Sequence, residues 1–586
     1  MRPSDHAWLD DVLDCYFARR PVDATFIGRH DHDHRLPDLS EHATGDALAA
    51  MQGLAASVPS GDGLSVVERV DHRLAAGSLH IEIAELQSGH VVTNPAFYTG
   101  EAIFGVMSLF LREHAPLPLR LEAATSRLAA VPILLAQGMN NVRTAPSEWT
   151  MRALDECTGG MAFFRDGVDA LIAGAQSDPE HRVSASALAA FRVSADAAGA
   201  AIATFGSYLE TTLRHRPRAD VAAGGEALAL YLREGHALSE TAEEIRSRAI
   251  LAMQDAGRLL QKNLEREGLR TGSQLDERLS SLHPSADRFV QRFQQSWNAL
   301  RRVAIENDLV GWPEAPVRYA PQPVWARAAA SHLYFLPYRS PSAYDAPAEH
   351  LSFVPPIEPD WPEERRDGIL RAVNDAVIRL NHVIHHGGLG HHVQNAFARE
   401  SPSRIGRIAA VDGASRIAFF SGGTMAEGWA CYATDLMAEA GALSQLERLS
   451  ELRSRIRMCA RAVVDVSLHL GDFAIAEATA FYEQQAAMPA PAARMEAVKN
   501  SMFPGAALMY FVGRDAIHAL RSDLASALGD RFRPRAFHET LLGWGSVPVA
   551  VIADAMRTVV RETGALRKEA FHAAAAPPAD GRVPDV

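Results

Sequence analysis

Five histidines lie within eleven residues in the second half of the chain: His382, His385, His386, His391 and His392. Neutral imidazole is the commonest protein ligand for zinc, and a catalytic zinc site combines three protein ligands with one open position. Three glycines interrupt the cluster and should break or bend a helix, so spacing alone leaves the choice of ligands open. The cluster predicts a metal site; the alternative is a histidine-rich surface turn.

Glu427 offers a carboxylate that could complete such a site. It begins the segment Glu-Gly-Trp-Ala (427–430), where we expect a helix to start. Carboxylates are ordinary zinc ligands. Thr424, three residues earlier, also permits a capping box, in which Glu427 would bond back to the helix cap. From the residues alone, a metal ligand and a helix cap are both open roles for Glu427.

Two further pairs of polar residues stand four positions apart, a spacing that places both members on one face of a helix. Asp465 and His469 occur in an apolar segment, where such a pair must be hydrogen-bonded to be tolerated. His469 could support the site or bind substrate, or the pair could be structural. Tyr510 and Arg514 could stabilise an oxyanion and hold a substrate carboxylate, or they could pack and face solvent.

Helices must position most of these residues. Apolar residues recur at three- and four-residue spacing in 195–213, 227–262 and 443–470. A further helix is expected to begin at about Pro362 and to run toward Ile384. The sequence therefore predicts a mainly α-helical protein.

Changes in amino-acid composition and pattern divide the chain into four parts. We predict an N-terminal helical lobe (1–310), a Pro-rich bridge (311–364), a C-terminal helical lobe with the metal site (365–573) and a disordered tail (574–586). Within the bridge, 332–336 and 350–354 are predicted to be short strands. The run His-Asp-His-Asp-His at 30–34 is interpreted as an exposed turn.

The ordered motifs resemble those of the bacterial domain-of-unknown-function 885 family. Its signature His-Glu-x-x-Pro-Gly-His-His-x-Gln corresponds to His-His-Gly-Gly-Leu-Gly-His-His-Val-Gln at 385–394, and its Glu-Gly-Trp-Ala corresponds to 427–430. Three later family motifs correspond to residues 465–469, 504–513 and 537–548. With matches near the N-terminus, the resemblance extends roughly from residue 8 to residue 570.

The resemblance implies a zincin-like metallopeptidase fold, large, two-lobed and helical, with a few short strands near an active-site cleft. It implies that zinc is held by His385, by one of His391 and His392, and by Glu427. The implied function is metal-dependent hydrolysis of an amide, a peptide-like molecule or another small polar substrate. Fe²⁺ or another divalent transition metal would also suit imidazole ligands.

The chain departs from the family pattern at three positions. His386 stands where the family has glutamate, Leu389 where it has proline and Ala506 where it has glutamine. In zinc peptidases that glutamate is the general base, and its loss should lower the rate roughly 10²–10⁴-fold. His386 could replace the base, bind metal as a fourth ligand or pair with His382. A non-proteolytic metal-dependent enzyme, such as a lyase, and an inactive binding protein are therefore alternatives to a hydrolase.

Composition limits the partners. The net charge of −13 and a pI near 6.0, without a long Lys/Arg run, argue against a nucleic-acid partner. No run of 18 consecutive apolar residues occurs, so no membrane span is expected. The N-terminus lacks a signal-peptide pattern, and the four cysteines are interpreted as reduced thiols. We expect a cytoplasmic protein that binds a small molecule or a short peptide-like substrate; the sequence does not determine its oligomeric state.

Overall fold

The structure is a computed structural model that describes residues 5–61, 63–89, 92–177, 183–218, 220–333, 341–345, 349–409 and 422–566. Within these ranges the regular structure is mainly α-helical, as predicted. The predicted disordered tail at 574–586 lies outside the described residues.

Helices occupy most of the first half of the chain. Several begin at a side chain that caps the first turn; in α4, for example, Ser65 and Glu68 form a capping box. The helices are α1 (Asp5–Arg19), α2 (Pro21–Ile27), α3 (Glu41–Ala56), α4 (Val66–Ser88), α5 (Pro95–Met107), α6 (Leu117–Asn141), α7 (Ser147–Ala162), α8 (Val168–Ser177), α9 (Ala185–Thr211), α10 (Gly225–Leu230), α11 (Ala242–Arg266), α12 (Gly272–Ser280) and α13 (Phe289–Glu306).

The second half carries the candidate site. Its helix from Ile378 to Gly387 has the wide π geometry, which is rare and occurs frequently at functional sites. The other elements are β1 (Val317–Pro321), α14 (Val324–Ala330), β2 (His350–Val354), α15 (Glu363–Ala372), α16 (Asp375–Val377), α17 (His391–Arg399), α18 (Arg404–Ile408), α19 (Gly423–Glu439), α20 (Gln445–Leu470), α21 (Ile475–Ala486), α22 (Ala490–Met502), α23 (Met509–Leu528), α24 (Pro534–Gly543) and α25 (Val549–Thr563).

The main hydrophobic core draws on both halves of the chain. It contains Trp8 and Phe17 from α1 together with Trp429 and Tyr432 from α19, all of them buried. A second hydrophobic cluster lies between α11, α20 and α21. It includes the buried side chains of Ile245, Val463 and Tyr482. The two predicted lobes therefore share a core, and the two-lobed zincin-like arrangement stays a prediction.

The two short strands pair in parallel. Val317 in β1 lies opposite His350 in β2, and Pro321 lies opposite Val354. The prediction of a strand at 350–354 is confirmed. The other predicted strand, 332–336, begins in a turn at residues 332–333, and its remainder lies outside the described residues. The partner strand is β1, which the sequence did not indicate.

Two predicted helices are interrupted. The segment 227–262 is divided between α10 and α11 because Ala237 adopts a positive φ of 54° and Thr241 starts α11 with a capping box. The segment from Pro362 toward Ile384 is divided because the Asn374 side chain accepts hydrogen bonds from two backbone N–H groups and starts a new helix. The helical spacing of apolar residues continues through both breaks, so the sequence pattern could not reveal them.

One segment, Ala185–His215, is long and apolar enough to cross a membrane by length and composition alone. Core helices of soluble proteins have the same properties. Phe191, Ile202 and Phe205 on this helix are completely buried against the rest of the fold. The absence of a membrane-spanning segment stays a prediction.

Candidate metal centre

The π-helix and the glycines after it bring His385, His386 and His391 close together. The π-helix ends at Gly387, and α17 begins at His391. A side chain at Gly390 would collide with the carbonyl oxygen of His385, so only glycine allows the chain to turn so tightly here. The Gly387 carbonyl accepts a hydrogen bond from the Trp297 indole at 2.7 Å, which anchors the turn.

His385, His386 and His391 each offer a ring nitrogen, and these nitrogens all lie within 4.8 Å of one another. Glu427, from α19, faces two of them: its Oε2 lies 3.2 Å from Nε2 of His385 and 3.5 Å from Nε2 of His391. Among the residues that the structure describes, that buried oxygen has no hydrogen-bond donor in good geometry. Donor atoms converging at such distances fit a zinc ion, whose ligands surround it tetrahedrally.

Burial sets the protonation states of the group. It lowers the pKa of His385, although Glu427 partly opposes the effect. Burial would raise the pKa of Glu427, but His391 and His385 outweigh it and hold that pKa well below its usual range. The lone pair of His385 and the negative charge of Glu427 are therefore available to a cation at neutral pH.

The ring of His386 lies 4.7 Å from that of His385 and 5.5 Å from that of His391, measured between ring centroids. Its Nδ1 is 2.7 Å from the carbonyl oxygen of Asn381, to which it donates. That tautomer places the lone pair on Nε2. Burial, followed by the charges of His385 and His391, lowers the pKa of His386 well below its usual value. The ring can thus act as a neutral ligand or as a proton acceptor.

His392 is not part of this group. It follows His391 on α17, and its completely buried ring packs 5.2 Å from that of His350 and 6.5 Å from that of Trp312. Burial lowers the pKa of His392 to about 3. Of the two adjacent histidines, the structure brings His391 to Glu427.

The capping-box interpretation of Glu427 is wrong. Helix α19 begins at Gly423 with Gly422 as its cap, so Glu427 lies beyond the first turn. The hydroxyl of Thr424 instead accepts a hydrogen bond from the backbone N–H of Val549 at 3.3 Å. At the start of α19, a side chain at Gly423 would collide with Met509, so glycine allows the two segments to pack closely.

The side chains of Asp465 and His469 form hydrogen bonds to backbone groups rather than contacts with the candidate metal centre. The Asp465 carboxylate accepts N–H groups of Gly505, Ala507 and Leu508 at 2.8–2.9 Å. His469 Nε2 donates to the carbonyl oxygen of Asn500 at 3.0 Å. Burial raises the pKa of Asp465 to about 7. These contacts favour the structural interpretation of the pair.

Arg514 and Tyr510 have separate surroundings. The Arg514 Nε donates to Asp435 Oδ2 at 2.7 Å, and the same carboxylate contacts His518 at 2.8 Å. Arg514 is therefore held by an internal carboxylate. The Tyr510 ring instead lies 4.6 Å from the guanidinium carbon of Arg461. The charge of Arg461 also contributes to the lowered pKa of His385.

Sequence reasoning missed Arg461, whose guanidinium covers the Tyr510 ring. With Arg453 and Arg457 it recurs every four residues along α20, and this spacing was the available signal. The surrounding predicted helix was correct, but arginines at such spacing usually form a solvated face, so they attracted no functional interpretation.

A second group of possible ligands occurs at the predicted exposed turn. His30, Asp33 and His114 offer atoms within 4.8 Å of one another. The two imidazole rings are stacked 3.9 Å apart with an interplanar angle of 2°. A ring nitrogen's lone pair lies in the ring plane, and parallel planes do not meet at one ion. The arrangement therefore fits a charged histidine better than a metal, and the turn is half-buried rather than exposed.

His30 predicts a pH-dependent stability. Burial opposes its charge, but hydrogen bonds to Asp33 and Asp345 outweigh burial and raise its pKa to about 9, from 6.5. A raised pKa stabilises the fold fully below about 6.5, and this stabilisation is lost as the pH rises through about 9. The melting-temperature gap between wild type and His30→Gln should therefore narrow from pH 6.5 to 9.5. The exposed His42→Gln control should show no such trend, and a constant gap for His30→Gln would contradict the assignment.

Two solved structures share the fold. A "putative lipoprotein of unknown function" from Shewanella oneidensis is 21% identical, with a TM-score of 0.74 over 95% of this chain and 100% of that chain. A "putative lipoprotein" from Colwellia psychrerythraea is 16% identical, with a TM-score of 0.74 over 96% of this chain and 100% of that chain. At these identities the likeness establishes the fold alone.

Sequence comparison extends over most of the chain. The family described as "Bacterial protein of unknown function (DUF885)" matches residues 21–556. No curated protein shows significant similarity to the chain. The match includes the candidate metal centre and the helices that build it.

Proposed function

Since the chain belongs to the bacterial DUF885 family of unknown function, we propose from its site that it is a metal-dependent hydrolase of an amide, a peptide-like molecule or another small polar substrate. The observation that carries the proposal is the buried Glu427 Oε2, which faces Nε2 of His385 at 3.2 Å and Nε2 of His391 at 3.5 Å. Two imidazoles and a carboxylate are a common ligand set of catalytic zinc.

In this proposal His385, His391 and Glu427 hold the cation. A bound zinc ion supplies Lewis-acid chemistry, which lowers the pKa of water and polarises a carbonyl group. His386 accepts the proton of the attacking water at Nε2, because its Nδ1–H is donated to Asn381. In the same proposal Tyr510, whose ring packs against Arg461, donates a hydrogen bond to the oxyanion.

A non-hydrolytic metal enzyme is the second candidate, and His386 is the observation that favours it. With His386 as a ligand, the ion would be bound by three imidazoles within one group of donors. Such nitrogen-rich sites also suit iron, nickel and copper. A lyase or another small-molecule conversion would then use the metal without a carboxylate base.

The test uses full-length protein without a His tag, stripped with a chelator and reloaded with Zn²⁺ or Fe²⁺. A panel of short N-acylated peptides and small amides is incubated with each form, and the products are identified by mass spectrometry. We expect amide cleavage that only the reloaded protein performs. Stoichiometric metal without cleavage of any member would favour the non-hydrolytic enzyme, and failure to bind metal would favour an inactive binding protein.

We propose a cytoplasmic location from the sequence pattern described above. The two structurally similar proteins carry the description lipoprotein, which applies to those proteins. Fractionation of cells that express the full-length protein separates the two possibilities, because a lipid-anchored protein would appear in the membrane fraction.

A further inference from the structure

Trp429 joins the helix that supplies Glu427 to the turn that precedes His391. Its indole Nε1 donates a hydrogen bond to the carbonyl oxygen of Leu389 at 2.8 Å. The indole is completely buried, and a buried Trp N–H needs such a partner because an unpaired donor in the core costs free energy. Trp429 and Leu389 are 40 positions apart in sequence, so the bond connects two segments that meet only in the folded chain.

The backbone of the glycine turn leaves the Leu389 carbonyl to a partner outside α17. The Gly388 carbonyl accepts the N–H of Val393 at 3.2 Å, and the Gly390 carbonyl accepts the N–H of Gln394 at 3.0 Å. The carbonyl between them instead accepts the indole N–H from α19. The side chain of Trp429 therefore satisfies a buried backbone group of the turn itself.

Glu427 and Trp429 contact the same segment from two sides of α19. Residues two positions apart on an α-helix point about 200° apart. Glu427 faces the rings of His385 and His391, whereas Trp429 reaches the carbonyl of Leu389. A segment that is held at one point can rotate about that point, and a second attachment removes this freedom. Trp429 therefore fixes how the turn, with His391 two residues after Leu389, lies against Glu427.

We propose that Trp429 is a positioning residue of the candidate metal centre, whose hydrogen bond to Leu389 holds His391 at the distance from Glu427 that a metal ion requires. Side chains that orient metal ligands without touching the metal typically contribute 10–100-fold to metal affinity. The contribution comes from preorganisation, because a turn that is already held does not have to be ordered when the ion binds. The inference rests on the proposed function for the metal centre and adds the residue that arranges its ligands.

Zinc titration of full-length Trp429→Phe protein tests the proposal, with competition against a chromogenic chelator as the readout. Phenylalanine keeps a buried aromatic ring but cannot donate the hydrogen bond. We expect the variant to bind zinc 10–100-fold more weakly than wild type. Trp149→Phe is the matched control, because that buried indole also donates a bond of 2.8 Å, to the Ser501 hydroxyl. The zinc affinity of the control should equal that of wild type.

Hydrogen exchange of the metal-free protein separates positioning from a general loss of stability. The Gly390 N–H, which donates to the Ile384 carbonyl at 2.8 Å, should be protected in wild type before zinc is added, because the turn is held without metal. Trp429→Phe should speed exchange in this turn and leave exchange in α9 unchanged. A wild-type turn that exchanges freely until zinc binds would overturn the proposal even if the Trp429→Phe protein does not fold.

The possible results distinguish this inference from the hydrolase proposal. Equal zinc affinity of Trp429→Phe and wild type, or an equal loss of affinity in both tryptophan variants, would overturn the positioning role alone. Weaker zinc binding by Trp429→Phe only, without cleavage of any amide by wild type, would support the positioning role while the hydrolase proposal fails. A wild-type protein that binds no zinc would overturn both.

Discussion

Replacing His385, His391 or Glu427 with alanine should remove zinc from the protein, while replacing His392 should not. Each of the first three contributes a donor atom to one buried group, whereas His392 packs against His350 and Trp312. Loss of a residue that only supports a ligand typically weakens metal binding 10–100-fold, and loss of a ligand should therefore exceed about 10²-fold. Elemental analysis and competition with a chromogenic chelator measure the effect.

The comparison of His391→Ala with His392→Ala tests the ligand assignment directly. Substitution of either ring alters one position of the same helix, α17, so a general loss of helix stability would affect both variants. His42→Ala, at a highly exposed position (89% of the side chain), controls for removal of any histidine. Metal retained by the His391→Ala protein and lost from the His392→Ala protein would show that the ligand assignment is reversed.

Replacing His386 with glutamine should lower the rate of amide cleavage roughly 10²–10⁴-fold without loss of metal. The glutamine keeps similar bulk and polarity but cannot accept the proton. His386→Glu introduces a carboxylate that can accept the proton and should support cleavage at least as fast as the wild type. The measurement is the rate of product formation by zinc-loaded protein on the most rapidly cleaved amide of the panel, with metal content determined on the same samples.

Each alternative role of His386 predicts a different result. If His386 is a fourth ligand, His386→Gln should lose metal along with activity, and His386→Glu should regain the metal. If it pairs with His382 only, neither variant should change the rate. Because burial and the charges of His385 and His391 lower the pKa of His386, acidification should reduce the wild-type rate later than it would for an enzyme whose base is an ordinary imidazole.

The sequence by itself determined the helical class, the family and the segment that forms the candidate metal centre. Helical periodicity is a local property, so α20 was predicted almost to its ends, and β2 was recognised from its flanking prolines. The glycines after His386 indicated the break between the π-helix and α17, because only glycine tolerates so close an approach of two backbone segments. The order of motifs indicated which residues belong together without placing them.

Only the tertiary structure decided which atoms meet. Consecutive residues on a helix point about 100° apart, and the orientation of α17 against α19 brings His391 rather than His392 to Glu427. Arg514 was a candidate for binding a substrate carboxylate because its partner in the fold, Asp435, is distant in sequence and could not be inferred. Burial and long-range pairing depend on how the helices pack, and no local pattern records them.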